Sequence, residues 1–148
     1  MILQHTGNHF AGAIFYRWGE DGWEYLVIEY DSGLGIQIKF PGGTNNDHPG
    51  ERMVETLNRE TLEETGLIPV NPQVSHVEEK PGRGGKPTHL KVFFAIDFAQ
   101  CVGQLRTVPK LDDGDRLSPP FWRTADELRG VIFYTHAKAL EAVEARMS

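Results

Sequence analysis

The run RETLEETG, Arg59 to Gly66, sets three acidic side chains where a helix cannot keep them apart. Residues three and four positions apart share a helix face, so Glu60, Glu63 and Glu64 crowd three negative charges into one small patch. Like charges so placed destabilise an isolated helix, and something positive must compensate. A hard divalent cation with oxygen ligands fits that need, because carboxylates and water suit magnesium or manganese. The plainer alternative is a solvated acidic face on which Arg59 forms an ordinary surface ion pair.

The surrounding pattern supports a helix from Glu51 to Thr65, a stretch without Pro or Gly, with Gly66 where a C-cap belongs. Met53, Val54, Leu57, Thr61 and Leu62 recur at helical spacing and are expected to face a core, with Glu51, Arg59, Glu60, Glu63 and Glu64 on the other side. Upstream, His9 to Arg17 and Trp23 to Tyr30 read as an antiparallel hairpin across WGEDG. Ile36 to Phe40 reads as a short strand that Pro41-Gly42-Gly43 ends, followed by the loop TNNDHPG. Downstream, Gln73 to Lys80 and Leu90 to Phe98 form a second hairpin around PGRGGKP. Residues 101 to 118 lack periodicity and read as a long loop, of the kind that is often functional. A last short strand is expected over Pro120 to Arg123. Thr124 with Glu127 makes a capping box for a short helix ending near Gly130, and a final helix over about Thr135 to Arg146 buries Ala139, Leu140 and Val143.

A chain of 148 residues is long enough for one proper core and short for two, so a single domain over residues 1–148 is expected. With 39% hydrophobic and 24% charged residues it has the profile of a folded globular protein, not a disordered one. The net charge of -6 argues against a large interface with a nucleic-acid backbone, but leaves room for a small phosphate compound held through metal ions. The single cysteine, Cys101, excludes an intramolecular disulfide and a multi-cysteine zinc site. The start MILQHTGNHF lacks a signal-peptide pattern, and no apolar run approaches the ~20 residues that span a bilayer, so no membrane contact and a cytoplasmic location are expected. The six histidines show no metal-ligand spacing and are assigned no role.

At this point the chain resembles a Nudix hydrolase. That family's signature is G-x5-E-x7-R-E-U-x-E-E-x-G-U, with U a bulky aliphatic residue. Glu51, Arg59, Glu60, Glu63, Glu64, Gly66 and Leu67 match it in register. Outside the signature, the resemblance extends to a strand ending in Phe-Pro-Gly-Gly and to Trp122 before the acidic ADEL helix. Two departures stand out. The leading glycine position is Asn45, and the nearest glycine, Gly43, lies eight residues before Glu51, which implies a loop two residues longer. The first aliphatic position is Thr61, a change expected to weaken packing more than chemistry.

The resemblance implies a Nudix α/β/α sandwich, an α+β fold with a mixed β-sheet between helices. It also implies metal-dependent hydrolysis of a nucleoside diphosphate linked to another moiety, by a monomer or homodimer acting on a small nucleotide. On this reading Glu60, Glu63 and Glu64, with the Gly43 carbonyl, hold Mg2+ or Mn2+. Arg59 orients a glutamate, and Glu51 braces that arginine or meets metal through water. The general base is a glutamate of this helix or a loop acid, with Asp112, Asp113 and Asp115 as the loop candidates; those three can equally be solvated. Arg83 and Lys86 reach substrate phosphates if the hairpin tip overhangs the helix, and otherwise form a solvated tip. Similarity of the HLKVFFAI strand and the terminal helix to diadenosine tetraphosphate hydrolases favours a nucleoside triphosphate or dinucleoside polyphosphate. An ADP-ribose or nucleotide-sugar substrate stays open, as does a Nudix module that senses a nucleotide without turnover.

Overall fold

The computed structural model describes residues 1–82, 84, 85 and 88–148, so Arg83 and Lys86 lie outside the described residues. The chain runs β1 (His9–Gly19), β2 (Gly22–Asp31), β3 (Ile36–Lys39), β4 (Gly42–Thr44) and α1 (Met53–Thr65). After α1 come β5 (Leu67–Ile68), β6 (Gln73–Lys80), β7 (His89–Asp97), β8 (Val102–Gly103), β9 (Lys110–Asp112) and β10 (Asp115–Leu117). It ends with β11 (Phe121–Thr124), α2 (Ala125–Leu128) and α3 (Ala137–Met147).

β1 and β7 are parallel neighbours at the centre of a mixed sheet, and both read as nearly unbroken apolar runs because both faces of the sheet are covered. The two-residue strand period sorts the side chains. Ala11, Ala13 and Phe15 of β1 with Val92, Phe94 and Ile96 of β7 pack against Met53 and Leu57 of α1. Ile14, Phe93 and Ala95 point the other way, onto Leu128 of α2 and Ala139, Leu140 and Val143 of α3. The result is the expected α/β/α sandwich, and each fully buried Leu, Met or Phe contributes about 1.5–3 kcal/mol.

The site-forming detail is a parting of strands. β1 and β2 form the expected hairpin, but they pair only from Tyr16 opposite Tyr25 to Gly19 opposite Gly22. Beyond that, β1 takes β4 as its partner at Phe10, Ala11 and Gly12, while β2 takes β3 along Ile28 to Asp31. Pro41-Gly42-Gly43 therefore does not simply end a strand: Gly42–Thr44 continues as one, on β1 in place of β2. The last turn of α1 meets the cleft between the parted strands, where Tyr30 and Gly42 both bond to Glu64.

Other expectations need correction. α1 starts at Met53 rather than Glu51, because the Met53 N–H donates to the His5 carbonyl at 2.8 Å and leaves Glu51 in the turn before the helix. Leu62 is half exposed; Met53, Leu57 and Thr61 are buried as expected, and Thr56 and Thr65 join them on the buried face of α1. Thr61 hides its hydroxyl by donating to the Leu57 carbonyl at 2.8 Å. Residues 101–118 are not one irregular loop: β9 and β10 form a hairpin across Asp113-Gly114, both with positive φ (47° and 84°), and β10 pairs with the end of β2. Asp-Gly is a strong turn signal for a two-residue hairpin. α3 begins at Ala137, after a 3-10 turn over Tyr134–His136. The capping box of Thr124 and Glu127 at α2 is present as expected. Among the described residues, no helix is long and apolar enough to cross a membrane.

Candidate active site

Arg59 stands at the centre of the site, held by its neighbours from three directions. Its Nε and Nη2 donate to the two oxygens of Glu51, each at 2.9 Å, in a fork-to-fork pair. Nη1 donates to Glu60 Oε1 at 2.8 Å, and Nη2 also reaches the Thr44 carbonyl at 3.1 Å. Because Glu51 precedes the helix, it can fold back over the first two turns to meet Arg59. The pairing holds the Glu51 carboxyl below its ordinary range and pushes the guanidinium up.

Behind this pair runs a buried polar chain that sequence reasoning missed. Thr56 Oγ1 donates to Glu51 Oε1 at 2.6 Å, and His9 Nε2 lies 2.6 Å from the same hydroxyl. His9, fully buried, therefore has a structural part where none was assigned. Asn45, at the signature's glycine position, is buried as well; it accepts the His9 N–H on Oδ1 and donates to the Gly7 carbonyl. The longer loop is thus pinned to β1 at Asn45 and closes through two turns, His48 N–H to the Asn45 carbonyl and Glu51 N–H to the His48 carbonyl. That leaves Gly43 next to the helix, so close that a Cβ built there would overlap the Glu60 carboxyl.

Glu64 is 3% exposed. Its Oε1 accepts from the Tyr30 hydroxyl at 2.6 Å and from the Gly42 N–H at 3.1 Å. Burial pushes its pKa up to about 8 despite those two donors, with Glu60 and Asp112 adding repulsion. Burial likewise raises Glu60 to about 7, against the pull of Arg59. Tyr30, burdened by burial and by Glu64, is raised well above 10. Glu63, half exposed, sits 3.9 Å from Arg59 Nη1.

All three helix glutamates line one open cavity of roughly 430 Å3, together with Gly43 and Arg59. The β9–β10 hairpin brings Asp112, Asp113 and Asp115 to the same cavity. The hairpin is held there by the C-terminal end of α1: Arg106 Nε donates to the Glu64 carbonyl at 2.9 Å and Lys110 Nζ to the Glu63 carbonyl at 2.7 Å. Cations at that end of a helix are favoured by its exposed carbonyls. Gly66 closes the helix in the left-handed region (φ 86°), and the Gln104 carbonyl packs so tightly on its Cα that no side chain fits. Among the described residues, seven carboxylates line the cavity against one arginine and one lysine, and the arginine is already bonded to one of the seven, Glu60, as well as to Glu51 behind it.

The chain matches the model of the NUDIX domain over residues 9–144. It belongs to the Nudix family. The fold is shared with solved Nudix structures: a MutT Nudix hydrolase from Burkholderia pseudomallei is 20% identical, with 94% of this chain and 99% of that one covered at a TM-score of 0.65. The Nudix domain of Shewanella oneidensis NrtR, solved with ADP ribose, is 16% identical over 97% and 90% of the two chains at 0.65. An Ap4A hydrolase from C. elegans is 16% identical over 96% and 99% at 0.59. No curated protein matches the chain. As a Nudix hydrolase the protein acts on phosphoanhydride bonds, and enzymes of this family generally need divalent metal ions.

Whether this Nudix site suits such an ion is tested by its own donor set. Among the described residues, no three Asp, Glu, His or Cys side chains are already gathered as a closed cage. Mg2+ does not require one, since it commonly keeps several waters and takes one or two carboxylates plus substrate phosphate. An all-oxygen set of partly buried carboxylates, short of positive charge and facing an open cavity, fits a hard divalent ion. Cys101 plays no part: it lies outside the cavity lining, and burial raises its thiol to about 11.

Proposed function

We propose that the protein is a metal-dependent pyrophosphohydrolase that cleaves a nucleoside diphosphate linked to another moiety, with a nucleoside triphosphate or dinucleoside polyphosphate as the favoured class. The observation that carries this reading is the charge imbalance of the cavity, among the described residues seven carboxylates against Arg59 and Lys39. A pure binding site for a nucleotide's phosphates would be built the other way round. The substrate preference is supported by the likeness to the C. elegans protein named as an Ap4A hydrolase, which spans nearly the whole of both chains.

In this reading Glu60, Glu63 and Glu64, with the Gly43 carbonyl, would hold Mg2+ or Mn2+. A bound ion there would neutralise the diphosphate oxygens and ease deprotonation of the attacking water. Glu51 locks Arg59 by two parallel hydrogen bonds, and Arg59 in turn fixes Glu60. Tyr30 and the Gly42 N–H fix Glu64. The proton of the attacking water would pass to a glutamate of this helix or to one of the loop acids Asp112, Asp113 and Asp115, which line the same cavity. Asp112 on the facing hairpin is close enough to act electrostatically on Glu60, Glu64 and Tyr30.

The test is a panel of nucleoside triphosphates, dinucleoside polyphosphates, ADP-ribose and nucleotide sugars, each with and without Mg2+ or Mn2+. Turnover of at least one compound that stops when the metal is chelated is expected. Turnover of none would favour a Nudix module that senses a nucleotide without turnover.

A further inference from the structure

Beside the acidic cavity lies a second one, roughly 210 Å3, with the opposite character. Phe10, Tyr30, Lys39 and Gly42 line both, so the two adjoin. The far wall of the second includes Lys91, Phe133 and His136, and among the described residues its only charged side chains are the two lysines. Lys91 is 7% exposed. Its Nζ donates to the Thr135 carbonyl at 3.0 Å and lies 5.5 Å and 5.4 Å from the ring centres of Phe10 and Phe93. Lys39 Nζ stands 5.0 Å from the Tyr30 ring and 4.7 Å from the Phe133 ring.

An ammonium has three protons to donate, and ring faces repay only part of the hydration lost on burial. Among the described residues, one hydrogen-bond acceptor is found for Lys91, and no carboxylate comes within ion-pair distance of either lysine. Glu78, opposite Lys91 across the β6–β7 pair, is bonded to His76. His136 accepts the Phe40 N–H on Nδ1 at 3.1 Å, and burial holds it neutral, so it offers no counter-charge. Two cations share a small aromatic pocket, and among the described residues the carboxylate that acts on Lys91, that of Glu78, forms no ion pair with it.

We propose that this pocket is a substrate subsite for an anionic group, a phosphate or carboxylate on the moiety beyond the diphosphate, gripped by Lys39 and Lys91. Its use as a substrate subsite rests on the hydrolase reading, whereas its affinity for an anion does not depend on turnover. A dinucleotide carrying an extra ribose phosphate would then be bound better than the same dinucleotide without it.

The experiment is a titration of the metal-free protein with inorganic phosphate, followed by NMR, since without metal the acidic cavity repels the probe. Wild type and E64Q bind phosphate, E64Q no more weakly, and K39M and K91M each weaken it by about tenfold or more, the scale of a charged hydrogen bond. Acetate as a competitor separates the two sources: displacement at concentrations equal to phosphate marks a carboxylate pocket, and weaker displacement marks a phosphate pocket. No phosphate binding to wild type, or equal binding by K39M, overturns the proposal; Lys39 is partly exposed, so K39M decides even where K91M fails to fold. Phosphate binding as expected, with no compound of the substrate panel turned over, would leave the anion site standing and remove the hydrolase reading.

Discussion

The Tyr30 hydroxyl donates to Glu64 Oε1 at 2.6 Å, joining the end of β2 to the last turn of α1 across 34 positions of sequence. With the Gly42 N–H on the same oxygen, it fixes the rotamer of a buried carboxyl that would otherwise be undirected, although burial still holds its pKa above the ordinary range. Tyr30→Phe keeps the ring and removes the donor. Partners that orient a metal ligand are typically worth 10–100-fold in affinity, so the Mg2+ concentration for half-maximal rate should rise by about tenfold while the rate at saturating Mg2+ changes less. A metal titration of the rate that superimposes on wild type would show that the hydroxyl does not position Glu64.

Gly43→Ala should damage the site without unfolding the protein. The new Cβ would overlap the Glu60 carboxyl, and the side chain must swing out of its bond to Arg59. We expect turnover to fall by about tenfold or more with a melting temperature close to wild type, because only a side-chain end is displaced, not packed core. Normal turnover would mean that Glu60 works equally well in another position.

Arg59→Lys should behave like a deletion. A lysine keeps the charge but cannot offer the two parallel bonds to Glu51 and the third to Glu60. Turnover should drop to nearly the level of Arg59→Ala, read as kcat/KM for the best compound of the panel. Recovery of most of the activity by lysine would reduce the role of Arg59 to that of a point charge.

Without metal, the raised carboxyls of Glu60 and Glu64 make stability fall as pH rises. Both folded-state values, about 7 and about 8, lie above the unfolded 4.5. The stabilisation is complete below pH 4.5 and is lost as pH climbs through 7 to 8. Buried His136, lowered to about 3 from 6.5, works in the opposite direction below pH 6.5, so the interval from 6.5 to 8 isolates the glutamates. The melting temperature of the metal-free protein should fall across that interval, more steeply than in Glu64→Gln, and Mg2+ should restore it most at the alkaline end. Wild type and Glu64→Gln with the same slope would refute the shift.

Much of this was legible in the sequence because local signals agreed with the global fold. The nearly unbroken apolar runs of β1 and β7, the left-handed Gly66 and the charge register of α1 all specify the sandwich and its acidic helix. What escaped were contacts between distant positions. Nothing local marks Tyr30 as the partner of Glu64, or His9 and Thr56 as the backing of Glu51, since each pair is made by strands and helix meeting in space. Asn45 did carry a signal: a residue with both donor and acceptor in place of a glycine is suited to pin a longer loop. The β9–β10 hairpin was hidden because its three-residue strands are polar and too short to show alternation, although Asp113-Gly114 marks the turn.

The most direct test of the account is turnover by Glu63→Gln and Glu64→Gln at saturating Mg2+, against the best compound of the panel. Both changes keep the shape of the side chain and remove its charge. The account predicts folded proteins whose turnover is lower by orders of magnitude; wild-type turnover in both variants would contradict it.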